Sequence, residues 1–186
     1  MGLLCFHGTD LHIAQTIASG NFQLAPSMNE FEWLGAGVYF WIENLDMAKS
    51  WAIMRYEAKK IGAPAVISAE IDCGNCLNIN DPQRHPAMIR SFNNVVKICD
   101  DYKVPVPINE KPINDIPANR KLDCSVIDNL HAVRRLRSRP AFDTVRGMFE
   151  DGEPIFPGSA IRKKTHAQIA VRNWSRVSNL QVVWKS

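Results

Sequence analysis

The run Leu34-Gly35-Ala36-Gly37-Val38-Tyr39-Phe40-Trp41 constrains the fold more than any other stretch of the chain. Two glycines lead into β-branched and aromatic residues that suit a pleated, covered surface, so the run reads as a central strand. A central strand needs partners, and the chain supplies them in irregular order. Residues 3–9 form a short apolar run halted at Gly8, which reads as a buried strand. Residues 65–71 alternate well enough for another, and 142–149, 166–172 and 180–184 read as three more. Helical spacing intervenes. Thr9 or Asp10 caps a first helix that closes at Gly20, a second runs from about Asn44 to Ile61, and 86–102 and 122–137 carry two more. Strands and helices mix without a repeating βαβ unit, so the expected class is α+β.

A chain of 186 residues with 46% hydrophobic and 22% charged content is one globular domain, 1–186, and not a disordered one. Prolines 105, 107, 112 and 117 punctuate a polar stretch at about 104–120, which is expected to be a loop or lid because such a density excludes helix and interior strand. The formal charge of +3 permits an anionic partner without demanding one. Five scattered cysteines in a chain of this size point to a reducing compartment rather than a disulfide framework. No apolar run reaches the ~20 residues of a membrane span. No basic-then-apolar leader opens the chain, and a cytoplasmic address is the expectation.

Three segments end probable strands with a polar residue in an apolar setting: His7-Gly8-Thr9, the strand bearing Tyr39, and His166-Ala167-Gln168-Ile169-Ala170-Val171. Each is ordinary alone. A histidine at a strand end is commonly a structural hydrogen-bonder, and a tyrosine among aromatics is commonly core. Gln168 stands out, because a buried amide without partners costs about 1–3 kcal/mol.

Taken together with Ile17-Ala18-Ser19-Gly20 and Ala48-x-x-Trp51-Ala52, these segments resemble the ADP-ribosyltransferase superfamily, on the branch shared by diphtheria toxin and the poly-ADP-ribose polymerases. The likeness covers the first ~55 residues and, less fully, the last ~40; the middle is unanchored. It implies split mixed β-sheets flanked by helices, with NAD+ as the substrate. It further implies that His7 bonds the adenosine ribose and that Gly8 offers its backbone amide and carbonyl to the carboxamide. Tyr39 would stack on the nicotinamide, a contact of about 0.5–2 kcal/mol. Trp51 either supplies a second stacking ring or packs into the core, and Thr9 either adds a hydroxyl contact or caps its helix. On this reading His7 and Tyr39 grip the dinucleotide together, around the bond to be cleaved.

The chain departs from the family at the position of its usual glutamate. Gln168 can hold a ribose hydroxyl but carries no titratable charge and cannot act as a general base. Polymer elongation is therefore not expected, and single transfer is. Glu150, in the acidic turn that precedes the Gln168 strand, is the candidate assisting carboxylate, against the plainer reading of a solvated hairpin tip. Arg134, Arg135, Arg137, Arg139 and Arg146 form the densest positive cluster: a solvated helix end, a phosphate-contacting patch, or a docking surface for an acidic antitoxin. Cys73-x-x-Cys76 lacks the second ligand pair of a structural zinc site, so no metal is assigned.

The resemblance thus implies a mono-ADP-ribosyltransferase acting on a macromolecule, nucleic acid (RNA or DNA) ahead of protein. Small stand-alone members of this kind are toxins of bacterial toxin–antitoxin or anti-phage modules, with an antitoxin protein as partner. An NAD+ glycohydrolase, or an inactive module that only binds NAD+ or nucleic acid, are the alternatives that Gln168 keeps open.

Overall fold

The structure, a computed structural model, describes residues 2–20, 22–110, 112–113, 116–117 and 119–186. In chain order the elements are β1 (Leu3–Asp10), α1 (Leu11–Ala18), β2 (Val38–Ile42), α2 (Leu45–Glu57), β3 (Pro64–Ile71), β4 (Cys76–Asn78), α3 (His85–Asp101), β5 (Pro112–Ile113), β6 (Ile116–Pro117), α4 (Lys121–Leu136), β7 (Thr144–Phe149), β8 (His166–Val171) and β9 (Val177–Lys185). Seven strands form one mixed sheet in the order β4-β7-β8-β2-β1-β3-β9, and β5 and β6 make a separate ribbon. The α+β class holds, and β2 takes the middle of the sheet. Among the described residues, only the β4/β7 pair is parallel.

Strand alternation distributes the core over two faces. On one face α1 sets Ala14 and Ile17 against Ala65 and Ile67, beside a cluster of Cys5, Val38, Phe40 and Ile169. On the other, α2 lays Ala48 on Phe6, Trp41 and Val66, while α4 packs Ile127 and Leu130 with Val145, Phe149 and Ala170. Covering each of the larger of these side chains, such as Ile17, Ile67, Phe40, Ile169, Ile127 and Val145, is worth about 1.5–3 kcal/mol of burial.

Gly8 is where α2 comes closest. A Cβ there would run into the Ala48 carbonyl oxygen, so the missing side chain serves helix-on-strand packing. Asp10, not Thr9, caps α1: its Oδ1 accepts from the His12 amide at 2.9 Å, and its Oδ2 accepts from the Gly62 amide at 2.7 Å. The second helix stops at Glu57, short of the expected Ile61, with Lys59 in the left-handed region at φ 55°.

Two expectations need correction. The strands form one continuous sheet rather than two split ones. The division survives as a thin seam, since β1 and β2 share only the pairs Cys5–Ile42 and Phe6–Trp41, whereas β1 and β3 run paired from Leu3 to Asp10. The proline-rich stretch is not wholly loop, because Pro112 pairs with Pro117 and Ile113 with Ile116. Proline is tolerated there because both strands of an isolated ribbon are edges. Lys111, Asn114, Asp115 and Ala118 of that stretch lie outside the described residues. Among the described residues no helix is long and apolar enough to cross a membrane.

Candidate functional site at the sheet seam

The seam opens at His7. The Leu4 carbonyl accepts from the Glu43 amide at 3.0 Å, so the alternating backbone of β1 turns the polar groups of residues 4, 6 and 8 toward β2. Pairing continues through Phe6 and ends there, and no registered pair joins Gly8 to Tyr39. In place of that rung the His7 side chain reaches across: Nδ1 lies 2.7 Å from the Tyr39 carbonyl oxygen. A carbonyl can only accept, so Nδ1 carries the proton and Nε2 is left as an acceptor. Burial holds the His7 imidazole below the usual histidine range, opposed by the bond to Tyr39, and the ring is neutral near pH 7.

Tyr39 is fixed at its far end. Its hydroxyl donates to the Gly35 carbonyl at 2.6 Å and accepts from the Leu34 amide at 2.9 Å. Burial pushes the phenol well above its ordinary value. The turn that holds it is tied to α4: Asp128 Oδ1 accepts from the Ala36 amide at 3.0 Å, and Arg172 Nη1 donates to the Ala36 carbonyl at 2.6 Å and to Asp128 at 3.0 Å. Gly35 sits at φ 72°, and a Cβ would meet Asp128 Oδ1 at 2.8 Å, so only glycine serves that position without strain.

The structure brings His7 and Tyr39 together through side chain and backbone, but not ring to ring. The His7 ring lies 5.4 Å from Phe40, on the α1 face. One residue back along β2, Tyr39 packs with Leu34 and the α4 cluster on the opposite face. Joint gripping by imidazole and phenol is therefore corrected: alternation along β2 separates the rings. Gly8, Tyr39, Trp41 and Gln168 share the α2/α4 face, with Gln168 paired to Trp41 and Trp41 to Phe6. Gln168 is thus about 10 Å from β1, two strand spacings away.

Gln168 is half-buried and has a partner the sequence reading left unassigned. Its Nε2 lies 2.9 Å from His166 Nε2, while His166 Nδ1 lies 2.5 Å from the Lys164 carbonyl. The Lys164 carbonyl accepts a hydrogen bond from Nδ1–H, His166 Nε2 accepts from the Gln168 amide, and that amide must turn its nitrogen to the ring. Its oxygen is left for another donor. Burial lowers the pKa of His166, which keeps this arrangement in its neutral form. Spacing held the clue: residues two apart on a strand share a face.

Trp33 and Arg120 were also missed. Trp33 stacks on His166 at 6.1 Å and meets Phe149 edge-on at 4.8 Å, and the Arg120 guanidinium lies 4.2 Å over Trp33. No local pattern joins residues so distant in sequence. Trp51, 40% exposed, leans on buried Trp41 at 5.9 Å, and the Trp41 indole nitrogen is buried without a partner. Thr9 is buried in β1. Glu150 is exposed just past β7, whereas the neighbouring carboxylate of Asp151 is the one whose field reaches His166 and Arg120.

The arginine cluster divides. Arg134 donates to the Pro140 carbonyl and covers Phe142 at 4.1 Å, and Arg146 lies on β7. Arg135 and Arg139 line a cleft of about 740 Å3. A second, apolar cleft of about 390 Å3 is lined by Trp33, Ile79, Met88 and Ile127. Neither of these two clefts is lined by His7, Gly8, Tyr39 or Gln168. Compared with known proteins, the chain matches no family model and no curated sequence.

Proposed function

We propose that the chain is an NAD+-dependent mono-ADP-ribosyltransferase that uses the seam between β1 and β2 as its dinucleotide site. The observation that supports this most is the interrupted ladder at His7 and Gly8. There a neutral imidazole offers Nε2 to a ribose hydroxyl, and the Gly8 backbone groups face the opening, where a carboxamide can be read by a donor and an acceptor together. Tyr39, held by two backbone bonds on the face opposite the His7 ring, fixes the Leu34–Gly35 turn that leads into β2. Trp51 is exposed beside Trp41 and is the aromatic side chain that can stack on the nicotinamide from α2.

On this reading Gln168 accepts a hydrogen bond from the ribose through its amide oxygen, because His166 occupies the nitrogen. Cleavage of the nicotinamide–ribose bond then proceeds through an oxocarbenium-like transition state, and orientation is the main lever the protein supplies. The chain has no carboxylate at Gln168 to deprotonate an acceptor. The nucleophile therefore comes activated from the macromolecule, which agrees with single transfer and a toxin-like role. Asp151 replaces Glu150 as the carboxylate closest in influence to His166.

Incubating the purified protein with NAD+, with and without cellular RNA and protein, tests the reading. Nicotinamide release that requires an acceptor, and an added ADP-ribose on it by mass spectrometry, are expected. Release with NAD+ alone marks a glycohydrolase. No release under any condition, with the fold intact, overturns the enzyme. His7→Ala is expected to reduce turnover by about a hundredfold, since the ribose contact and the seam are lost together.

A further inference from the structure

The Gln168 amide has two chemically opposite ends, and only one of them is engaged. Its Nε2 lies 2.9 Å from His166 Nε2, whereas no described residue donates to its Oε1, and that oxygen is not among the sealed, unpartnered atoms of the fold. The ring that makes this choice is itself fixed. His166 is 6% exposed, its Nδ1–H donates to the Lys164 carbonyl at 2.5 Å, and Trp33 and Phe149 pack on it with ring centroids 6.1 and 5.9 Å away. With Nδ1 committed, Nε2 is the variable atom of the ring: a lone pair when the ring is neutral and an N–H when it is charged. A lone pair there selects the amide nitrogen. An N–H there faces two donor hydrogens and is satisfied only if the amide turns over, which its terminal torsion permits without moving the backbone.

We propose that His166 is a proton-operated positioning residue: neutral, it turns the Gln168 oxygen outward to the ligand, and charged, it draws that oxygen back and presents the amide nitrogen instead. The inversion stands on the hydrogen bonds alone; its effect on turnover rests on the transferase reading above, in which Gln168 faces the ribose. A ribose hydroxyl can donate to the oxygen or accept from the nitrogen, so the substrate binds in either state. The transition state is more demanding. Positive charge grows on the ribose carbon, where the oxygen end of the amide dipole stabilises it and the nitrogen end opposes it. The switch therefore acts on turnover rather than on affinity.

The groups around His166 set where it operates. Burial is the largest influence against a second proton, and the Arg120 guanidinium, 4.2 Å over Trp33, adds to it. The bond to the Lys164 carbonyl and the Asp151 carboxylate favour the proton. Asp123 stands 4.0 Å from Arg120, while Trp33 and Phe149 bring no charge. The net direction is downward from the ordinary histidine value of about 6.5. The oxygen thus faces outward at neutral pH, and the site shuts down in acid.

Nitrogen-15 NMR on the full chain, labelled at histidine and glutamine and titrated from pH 8 to pH 4.5, reads the switch without any activity. At pH 8 His166 is expected to carry its proton on Nδ1, and its second protonation is expected to shift the Gln168 side-chain amide with the same midpoint. An amide that ignores that titration, or a ring protonated on Nε2 at pH 8, overturns the proposal. In NAD+ cleavage kcat is expected to fall about tenfold per pH unit below the midpoint, with KM changing by less than about twofold. His166→Gln, whose side-chain oxygen can take the amide hydrogen but cannot titrate, is expected to lose this acid limb; a limb that persists in it overturns the proposal. Should that variant fail to fold, Asp151→Asn is expected to move the NMR midpoint and the kcat limb down together, and a limb that stays behind is equally fatal. Inversion of the amide in a protein that releases no nicotinamide sinks the transferase reading and keeps the switch, whereas NAD+ cleavage with kcat flat across the midpoint sinks the switch and keeps the transferase.

Discussion

The seam and the α4 cleft each contain a histidine whose Nδ1–H donates a hydrogen bond to a backbone carbonyl and whose Nε2 keeps a lone pair. They differ in where that carbonyl comes from. His131 bonds Ile127, four residues back on its own helix, whereas His7 bonds Tyr39 on a neighbouring strand. The first bond forms with the helix. The second exists only once the sheet is assembled, and it stands where a ladder rung is missing. The seam is therefore part of the core and the cleft is an addition to its surface, so substitutions in the seam should disturb folding and substitutions at the cleft mouth should leave it undisturbed.

The largest effect expected from this contrast is at Tyr39. Tyr39→Ala removes a ring packed on the α4 cluster and leaves the Leu34 amide and Gly35 carbonyl unmatched, at a cost of about 3–5 kcal/mol in urea or thermal unfolding. Tyr39→Phe keeps the ring and should cost about 1–3 kcal/mol. A Tyr39→Ala protein as stable as the parent would make Tyr39 a ligand contact alone and erase the difference between the two regions.

Acid comes next. His7, His131 and His166 all titrate below the ordinary histidine value in the fold, so the unfolded chain binds more protons once pH drops under about 6.5. Stability is full above that pH and is lost as pH falls toward the folded values. For His131, whose pKa is about 4, the loss between pH 6.5 and 4 is about 3 kcal/mol. His131→Gln should flatten the fall in melting temperature between pH 7 and 4.5, and an unchanged slope would show that the ring is not buried neutral.

A smaller change follows from Gln168→Glu. The new carboxylate faces the lone pair of His166 Nε2, which costs about 1–2 kcal/mol until His166 takes up a proton. Stability should then improve as pH falls through the raised histidine value, opposite in sign to the parent, and NAD+ cleavage should be preserved or raised. Complete loss of cleavage with the fold intact would show that Gln168 does not stand where the family has its glutamate. Least of all should change on Arg135→Ala/Arg139→Ala, within about 0.5 kcal/mol of the parent by thermal melting, because both side chains are exposed. A large drop would move the cleft from surface to scaffold.

Much of the fold was readable in the chain because its signals are local. The periodicity of Leu11, Ala14 and Ile17 predicts a helix, and the Val38–Trp41 run predicts a covered strand; both form. The candidate site was readable in part. His7 and Gly8, Tyr39, and Gln168 stand on three successive strands, β1, β2 and β8, but no register pair joins them. Which face each side chain takes was not readable, since it depends on the phase of each strand against its neighbour. Trp33, Arg120 and Asp128 were invisible for the same reason, being assembled from a loop and α4 far along the chain.

What the sequence by itself determined is the set of elements and their chemistry, since periodicity, capping and turn residues act within a few positions of one another. Only the tertiary structure decided that the sheet is single with a seam at its middle, and that His7 spans it to Tyr39 while Gln168 leans on His166. Those choices are made by hydrogen bonds and packing between residues tens of positions apart, and no local propensity encodes which donor will meet which carbonyl.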